Sequence, residues 1–355
     1  MTAAPTLRPA EPGLSSRRAR LLELLRRHGR DPTSFQLLDG AYRLWFAEGA
    51  AVGYVDTGRA LVVAGSPVCP EERLARVTAR FVAAAARRGR GVAFFGVDDR
   101  FLALTGLRSL PVGQLCSWEP RGWPELLARV PSLREQLRRA RAKGVTIELA
   151  GRRLAWLRSG LLELRSRWAA RHGMATMSFL AQPASLELGP QGDRAFLVAL
   201  RDARPIGYLC LSPIYARRGA LVQEWVRDPA APNGTTELLV DAAFRWAAAQ
   251  GLEYATLGLS PLAGPVSPWL RAARALGQPW YDFEGLAAFK AKLRPHAVES
   301  VALAGAGLPK AALLAESLRA FAGGSVIRFG AATLRRRLSR AAARPLPAQE
   351  ELPIG

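Results

Sequence analysis

Two lysines stand two residues apart in the segment 280–295, WYDFEGLAAFKAKLRP, of a chain that otherwise avoids lysine. Lys143, Lys290, Lys292 and Lys310 are the only four, against 46 arginines. Where a bare cation suffices, this chain uses the planar guanidinium, so Lys290 and Lys292 suggest a task for a compact charge with rotatable donors. Such a group can meet a developing oxyanion or hold a phosphate. The competing reading is a solvated amphipathic helix whose buried stripe is Leu286, Phe289 and Leu293. A second set of candidates lies upstream in 227–237, RDPAAPNGTTE. There an Asn233–Gly234 turn, with Thr235 or Thr236 as N-cap, opens a helix whose amide end favours an anion. Glu237 suits that dipole but repels a pyrophosphate, which weakens a coenzyme A reading of the turn.

Two further polar residues flank the lysines. Glu284 can cap its helix or act in chemistry, and His296 can be a base near neutral pH or a polar residue at a strand entrance. Arg134, Arg138, Arg139, Arg141 and Lys143 form a basic helix on which nucleic-acid phosphates could be tracked. Trp156, Trp168 and Trp225 can stack bases or fill core. No HExxH, GxSxG, Walker A or Cys/His metal spacing occurs, which excludes the usual metalloprotease, hydrolase and NTPase patterns and leaves no metal expected.

The elements that must position these residues follow from hydrophobic periodicity. Arg17–His28 reads as a short basic helix ended by Gly29, and 42–47, 51–56 and 60–65 alternate as strands between glycine turns. A helix over 70–88 and a buried strand over 92–97 complete a β-β-β-α-β order, that of a GNAT-type acyltransferase. The order recurs: a basic helix near 132–143, strand 145–149, long helix 154–171, strands 195–201, 205–211 and 220–226, helix 235–250 and strand 254–259. The expected fold is therefore mixed α/β, with tandem GNAT-like domains. A tail and short helix fill 1–30, the two domains 31–150 and 151–300, and a basic amphipathic tail 301–355. In that tail Leu313, Leu314, Leu318 and Phe321 form one apolar stripe and Val326, Ile327, Phe329, Leu334 and Leu338 another, suited either to an anionic membrane surface or to the protein's own core.

A chain of 355 residues is long for one core and comfortable for two. No apolar run is long enough to span a membrane, and residues 1–20 lack an apolar signal core. Cys69, Cys116 and Cys210 are scattered, which suits a reducing cytoplasm. The net charge of +21 makes an anionic membrane or a nucleic acid the natural partner class, although high-GC coding also enriches arginine.

Read together, 227–262 and FEGLAAFKAKLRP resemble the C-terminal synthase domain of the phosphatidylglycerol lysyltransferase family, the aminoacyl-phosphatidylglycerol synthases. The resemblance rests on Pro232, Gly234, Glu237, Trp246, Gly251, Gly258, Pro261, Leu262, Phe283, Gly285, Leu286, Phe289, Lys290, Lys292 and Pro295. It is specific over about 227–300 and weaker over 31–226, and it lacks the family's membrane-embedded flippase half.

The resemblance implies a cytoplasmic enzyme, peripheral at the inner membrane face, that needs no cofactor and takes aminoacyl-tRNA as donor. A glycerol hydroxyl of the lipid attacks the aminoacyl ester. Glu237 is then the candidate base or holder of the substrate ammonium, Lys290 and Lys292 the oxyanion or phosphate groups, and Asn233, Gly234, Thr235, Thr236, Glu284 and His296 the surrounding binding residues. The helix carrying Arg134 to Lys143 is the candidate for the tRNA. Two departures stand out: Val240 occupies the place of a common arginine, and His296 that of a common aromatic. The alternatives are an acyltransferase using acyl-CoA or another acceptor, and a non-catalytic protein that binds anionic lipid or RNA. A peptidoglycan-type ligase would be expected to carry a coiled-coil arm, and no long heptad segment occurs.

Overall fold

The computed structural model describes residues 12–40, 42–171, 178–181, 186, 193–278 and 281–342. Trp280, both termini, and the side chains of Leu338 and the arginines after Arg335 lie outside the described residues. Eleven strands form one sheet: β1 (Arg43–Ala47), β2 (Ala50–Asp56), β3 (Ala60–Ala64), β4 (Gly91–Val97), β5 (Arg108–Trp118), β6 (Thr146–Leu149), β7 (Ala195–Arg201), β8 (Arg204–Ile214), β9 (Gly219–Arg227), β10 (Tyr254–Pro261) and β11 (Ala297–Ala306). Their order across the sheet is β1-β2-β3-β4-β11-β5-β10-β9-β8-β7-β6. Only β3/β4 and β9/β10 are parallel; every other neighbour is antiparallel.

The helices are α1 (Pro12–His28), α2 (Leu74–Ala86), α3 (Asp99–Thr105), α4 (Trp123–Arg129), α5 (Pro131–Ala142), α6 (Leu154–Arg171), α7 (Thr235–Ala249), α8 (Pro268–Gly277), α9 (Phe283–Lys292), α10 (Lys310–Phe321) and α11 (Val326–Ala342). Each crossover between parallel strands is a helix with one apolar face: α2 buries Leu74, Val77, Phe81 and Ala85, and α7 buries Leu238, Leu239, Ala243 and Phe244. The architecture is mixed α/β, two acyltransferase-like halves sharing one sheet. The strands that end each half are exchanged. β11, from the end of the chain, lies between β4 and β5, while β5, from the first half, lies against β10.

β5 and β11 are the strands that periodicity leaves out. β5 carries Pro111 and Gly113, residues that argue against a central strand. The structure accommodates them where the register against β11 shifts, Val301 facing Gly113 and Ala302 facing Pro111. β11 begins before residue 300 and runs past it, so the stretch expected as a tail from 301 starts inside the sheet. α10 then lies on β3, β4 and β11 with Leu313 and Ala320 buried. Of the first tail stripe, Leu313, Leu314 and Phe321 therefore pack on the protein's own core, while Leu318 is left exposed. α11 is different: Val326, Ile327 and Leu334 on it are exposed.

Candidate active site

The two central parallel strands of the second half part company. β9 and β10 pair at Gly219/Tyr254, Ala220/Ala255 and Leu221/Thr256 and then diverge, although β9 runs on to Arg227 and β10 to Pro261. The divergence coincides with a bulge in β10, where the register against β5 slips between Thr256 and Leu259. Gly258 sits at the bulge with φ +75°, a conformation that suits a residue without Cβ. Thr256 clamps it, donating from Oγ1 to the Cys116 carbonyl at 2.7 Å and accepting from the Gly258 amide at 3.1 Å.

A bulge turns backbone carbonyls out of the ladder, and buried carbonyls need donors. Lys290 supplies them. Its Nζ donates to the Gly258 carbonyl at 2.7 Å and to the Leu259 carbonyl at 3.0 Å, and the residue is fully buried. Burial pushes the ammonium down to about 7, against a smaller upward pull from Cys116. A single compact ammonium serves both carbonyls from one atom, which suits the rare lysine to this position. The solvated-face reading of Lys290 is thus corrected: the buried stripe of α9 contains the lysine alongside Leu293.

Other residues of α9 reach the remaining walls. Phe289 meets Trp225 of β9 with ring centroids 6.2 Å apart, and Lys292 Nζ donates to Glu237 Oε1 of α7 at 2.7 Å. One short helix therefore ties β9, β10 and α7 together across the opening. Glu237 is largely buried, while the Lys292 side chain keeps 35% of its surface exposed. A protected carboxylate beside a reachable ammonium is the arrangement that proton transfer and oxyanion stabilisation require.

The start of α7 differs from expectation in one respect. Its N-cap position is Gly234, φ +92°, with no side-chain cap, whereas the Thr235 hydroxyl donates back to the Pro232 carbonyl at 2.7 Å. Thr235 braces the turn instead of capping the helix. A Cβ on Gly234 would come within 2.5 Å of the Gln136 carbonyl of α5, so glycine is what lets α5 back this turn. Asn233 is exposed and Thr236 half-buried. Val240, in place of the arginine, is fully buried in the core beneath α7.

Glu284 does not take the capping role open to it, and His296 is engaged away from the Glu237–Lys292 pair. The cap of α9 is Asp282, which accepts from the Gly285 amide at 2.8 Å, so Glu284 is left exposed in the first turn. His296 pairs with Glu119 at 3.2 Å in a depression shared with Arg217, Tyr254 and Glu299. That depression lies where β10 begins, not where it leaves β9.

The basic helix α5 lies against α7. Arg138 and Arg139 are exposed but bracket Glu135, and these hydrogen bonds hold the Glu135 carboxyl down to about 2. Arg134 donates to the carbonyls of Leu127 and Ala128. Arg141 and Arg245 both reach the buried Asp241, at 2.8 Å each, and Trp123 Nε1 donates to the same carboxylate at 2.9 Å. Lys143 is exposed at the end of the helix. The buried anchor Asp241 carries no motif in the sequence; its only trace is an acidic residue on an otherwise apolar helix face.

Among the described residues no helix is long and apolar enough to cross a membrane, and no group of His, Cys, Asp and Glu could hold a metal. Residues 22–304 match the family described as phosphatidylglycerol lysyltransferase, C-terminal, and the chain belongs to that family. Solved structures give the same fold. The C-terminal domain of a proposed lysylphosphatidylglycerol synthetase from Agrobacterium fabrum is 23% identical, with a TM-score of 0.75 over 88% of this chain and 99% of that one. L-PGS from Bacillus licheniformis is 19% identical, with a TM-score of 0.70 over 85% and 95%. FemX is 11% identical, with a TM-score of 0.56 over 84% and 96%. No curated protein matches the chain.

Proposed function

We propose that this chain transfers an amino acid from aminoacyl-tRNA to a glycerol hydroxyl of a phosphatidylglycerol-type lipid, working in the cytoplasm at the inner membrane face. The second half, 151–300, carries the chemistry. The observation that supports it most is the α9 staple, which leaves Glu237 and Lys292 paired beside the uncapped start of α7.

In this reading the glycerol oxygen attacks the aminoacyl carbonyl, forming the new ester bond as the bond to the tRNA ribose oxygen breaks. Glu237 accepts the hydroxyl proton and returns it to the leaving ribose oxygen. The Lys292 ammonium stabilises the tetrahedral oxyanion between those steps. Lys290 touches neither substrate: it is a positioning residue that fixes the bulge of β10. Asn233, Gly234 and Thr236 line the approach, and the exposed cations of α5 hold acceptor-stem phosphates.

An acyl-CoA donor fits less well. Glu237 in the first turn of α7 opposes a pyrophosphate, and the Trp225–Phe289 contact crosses the space between the parted strands. The deciding experiment incubates the purified protein with total aminoacyl-tRNA bearing labelled amino acids and with phosphatidylglycerol vesicles. Label is expected in the organic phase, and not when the aminoacyl-tRNA is digested with ribonuclease before the incubation. Transfer from acyl-CoA alone would replace the donor, and binding of tRNA or lipid without any transfer would make the protein a binding module.

A further inference from the structure

Eleven large apolar side chains are exposed among the described residues, and six of them lie on the three helices α8, α10 and α11. The pattern on α8 is the most specific. Leu270 seats the helix on Leu110 and Val266, with Leu314 of α10 alongside, and Arg274 donates inward to the Leu262 carbonyl at 3.2 Å. The opposite face should then be polar. Instead Trp269 and Leu276, seven residues apart and so on one face, are 47% and 74% exposed, with Ala272 and Ala273 exposed between them.

Residues 262–278 contain Arg271 and Arg274 and no acidic residue, and Asp282 and Glu284 follow beyond the C-terminal end of α8, where Asp282 accepts from Gln278 at 2.9 Å. The helix begins at Pro268, a short turn after β10 ends at Pro261, the end of the strand that has left β9. An apolar stripe with an exposed indole, on a chain of net charge +21 and adjoining a cleft, matches the interface of an anionic bilayer, where indoles settle at headgroup depth and surplus positive charge is drawn to the surface.

We propose that α8 is the membrane-contact element of this protein, lying in the headgroup layer of an anionic bilayer with Trp269 and Leu276 toward the acyl chains. The proposal rests on the reading of the β9/β10 opening as the transfer site, because it accounts for how an acceptor lipid reaches that end of β10.

The test uses the full chain and two kinds of vesicle, one of equal parts phosphatidylglycerol and phosphatidylcholine, the other of phosphatidylcholine alone. Wild type should sediment with the anionic vesicles preferentially. Trp269→Glu and Leu276→Glu should each weaken that partitioning by about tenfold or more, since each both removes buried apolar area and adds a charge repelled by the surface. Leu104→Glu on α3, equally a surface change, should bind as wild type. With brominated lipid, Trp269→Phe should lose part of the fluorescence quenching seen in wild type. Unchanged binding and quenching in the α8 variants overturn the proposal, as does a loss confined to Ile327→Glu, which would move the contact to α11. Vesicle binding needs no turnover: docking through α8 without any transfer sinks the enzymatic reading alone, and transfer with docking indifferent to α8 sinks this proposal alone.

Discussion

The two parallel strand pairs of the sheet behave oppositely. β3 and β4 stay paired over five positions, from Ala60/Gly91 to Ala64/Phe95, and the Gly65 amide continues the ladder to the Phe95 carbonyl at 2.9 Å. β9 and β10 let go after three. The turns that follow differ in the same sense. After β3, the buried Asp31 accepts from both the amide and the hydroxyl of Ser66, at 2.5 and 2.7 Å, so the donors of that turn are internally satisfied. After β9, the helix start carries no side-chain cap and is flanked by an ion pair. The doubled fold therefore keeps the strand pair of one half closed and lets that of the other part, with α9 bridging the gap through Lys290, Phe289 and Lys292.

Lys292→Ala and Glu237→Gln should each lower single-turnover transfer from aminoacyl-tRNA by ~10²–10³-fold, the usual cost of one oxyanion or proton-transfer group. Asp31→Asn, in the half whose strand pair stays closed, should leave the same rate within about threefold. Loss of transfer in a folded Asp31→Asn protein would erase the distinction between the halves.

Lys290→Met removes the donor from two buried carbonyls and should destabilise the protein by about 2–4 kcal/mol in urea unfolding. Transfer should fall with it as β10 relaxes. A variant as stable as wild type would mean that the bulge holds itself.

Asp31→Ala leaves the Ser66 amide and hydroxyl without their acceptor, for an expected loss of about 1–3 kcal/mol. Gly65→Ala should be costly too, because its Cβ would stand 2.5 Å from Asp31 Oδ2 at a φ of +75°.

The last effect is one of pH. Folding lowers the Lys290 ammonium from 10.5 to about 7, so between those values the unfolded chain binds the extra proton. Wild type should therefore gain stability relative to Lys290→Met as pH rises from 7 to 9, and the difference should be flat below 7. A slope of the opposite sign would require the buried ammonium to be favoured over the neutral amine.

Much of this was legible in the residues. The helix and strand order through β4, and again from α5 to β10, follows from periodicity, and the scarcity of lysine points to α9 before any contact is known. The sequence did not reveal why the lysine is there. Spacing places Lys290 next to Phe289 and Leu293 on one helix, but its partners belong to a bulge more than thirty residues upstream, and a bulge leaves only a glycine as its trace. Thr235 failed as a cap for a related reason: the Asn-Gly turn ahead of it offered a carbonyl closer than the helix amides. Pro111 and Gly113 hid β5 because local preference disfavours a strand that its two long-range neighbours nonetheless impose.

The exchanged strands also bear on how the chain is made. β5 leaves the ribosome by residue 118, yet the strands on either side of it begin at residues 254 and 297. At about 5–20 residues per second, its two edges wait roughly 10–40 s for partners. During that interval β5 is an unpaired edge open to other chains. Synthesis should thus be the most aggregation-sensitive stage in the life of this protein, and pausing between residues 118 and 297 should lower its yield more than pausing after 306.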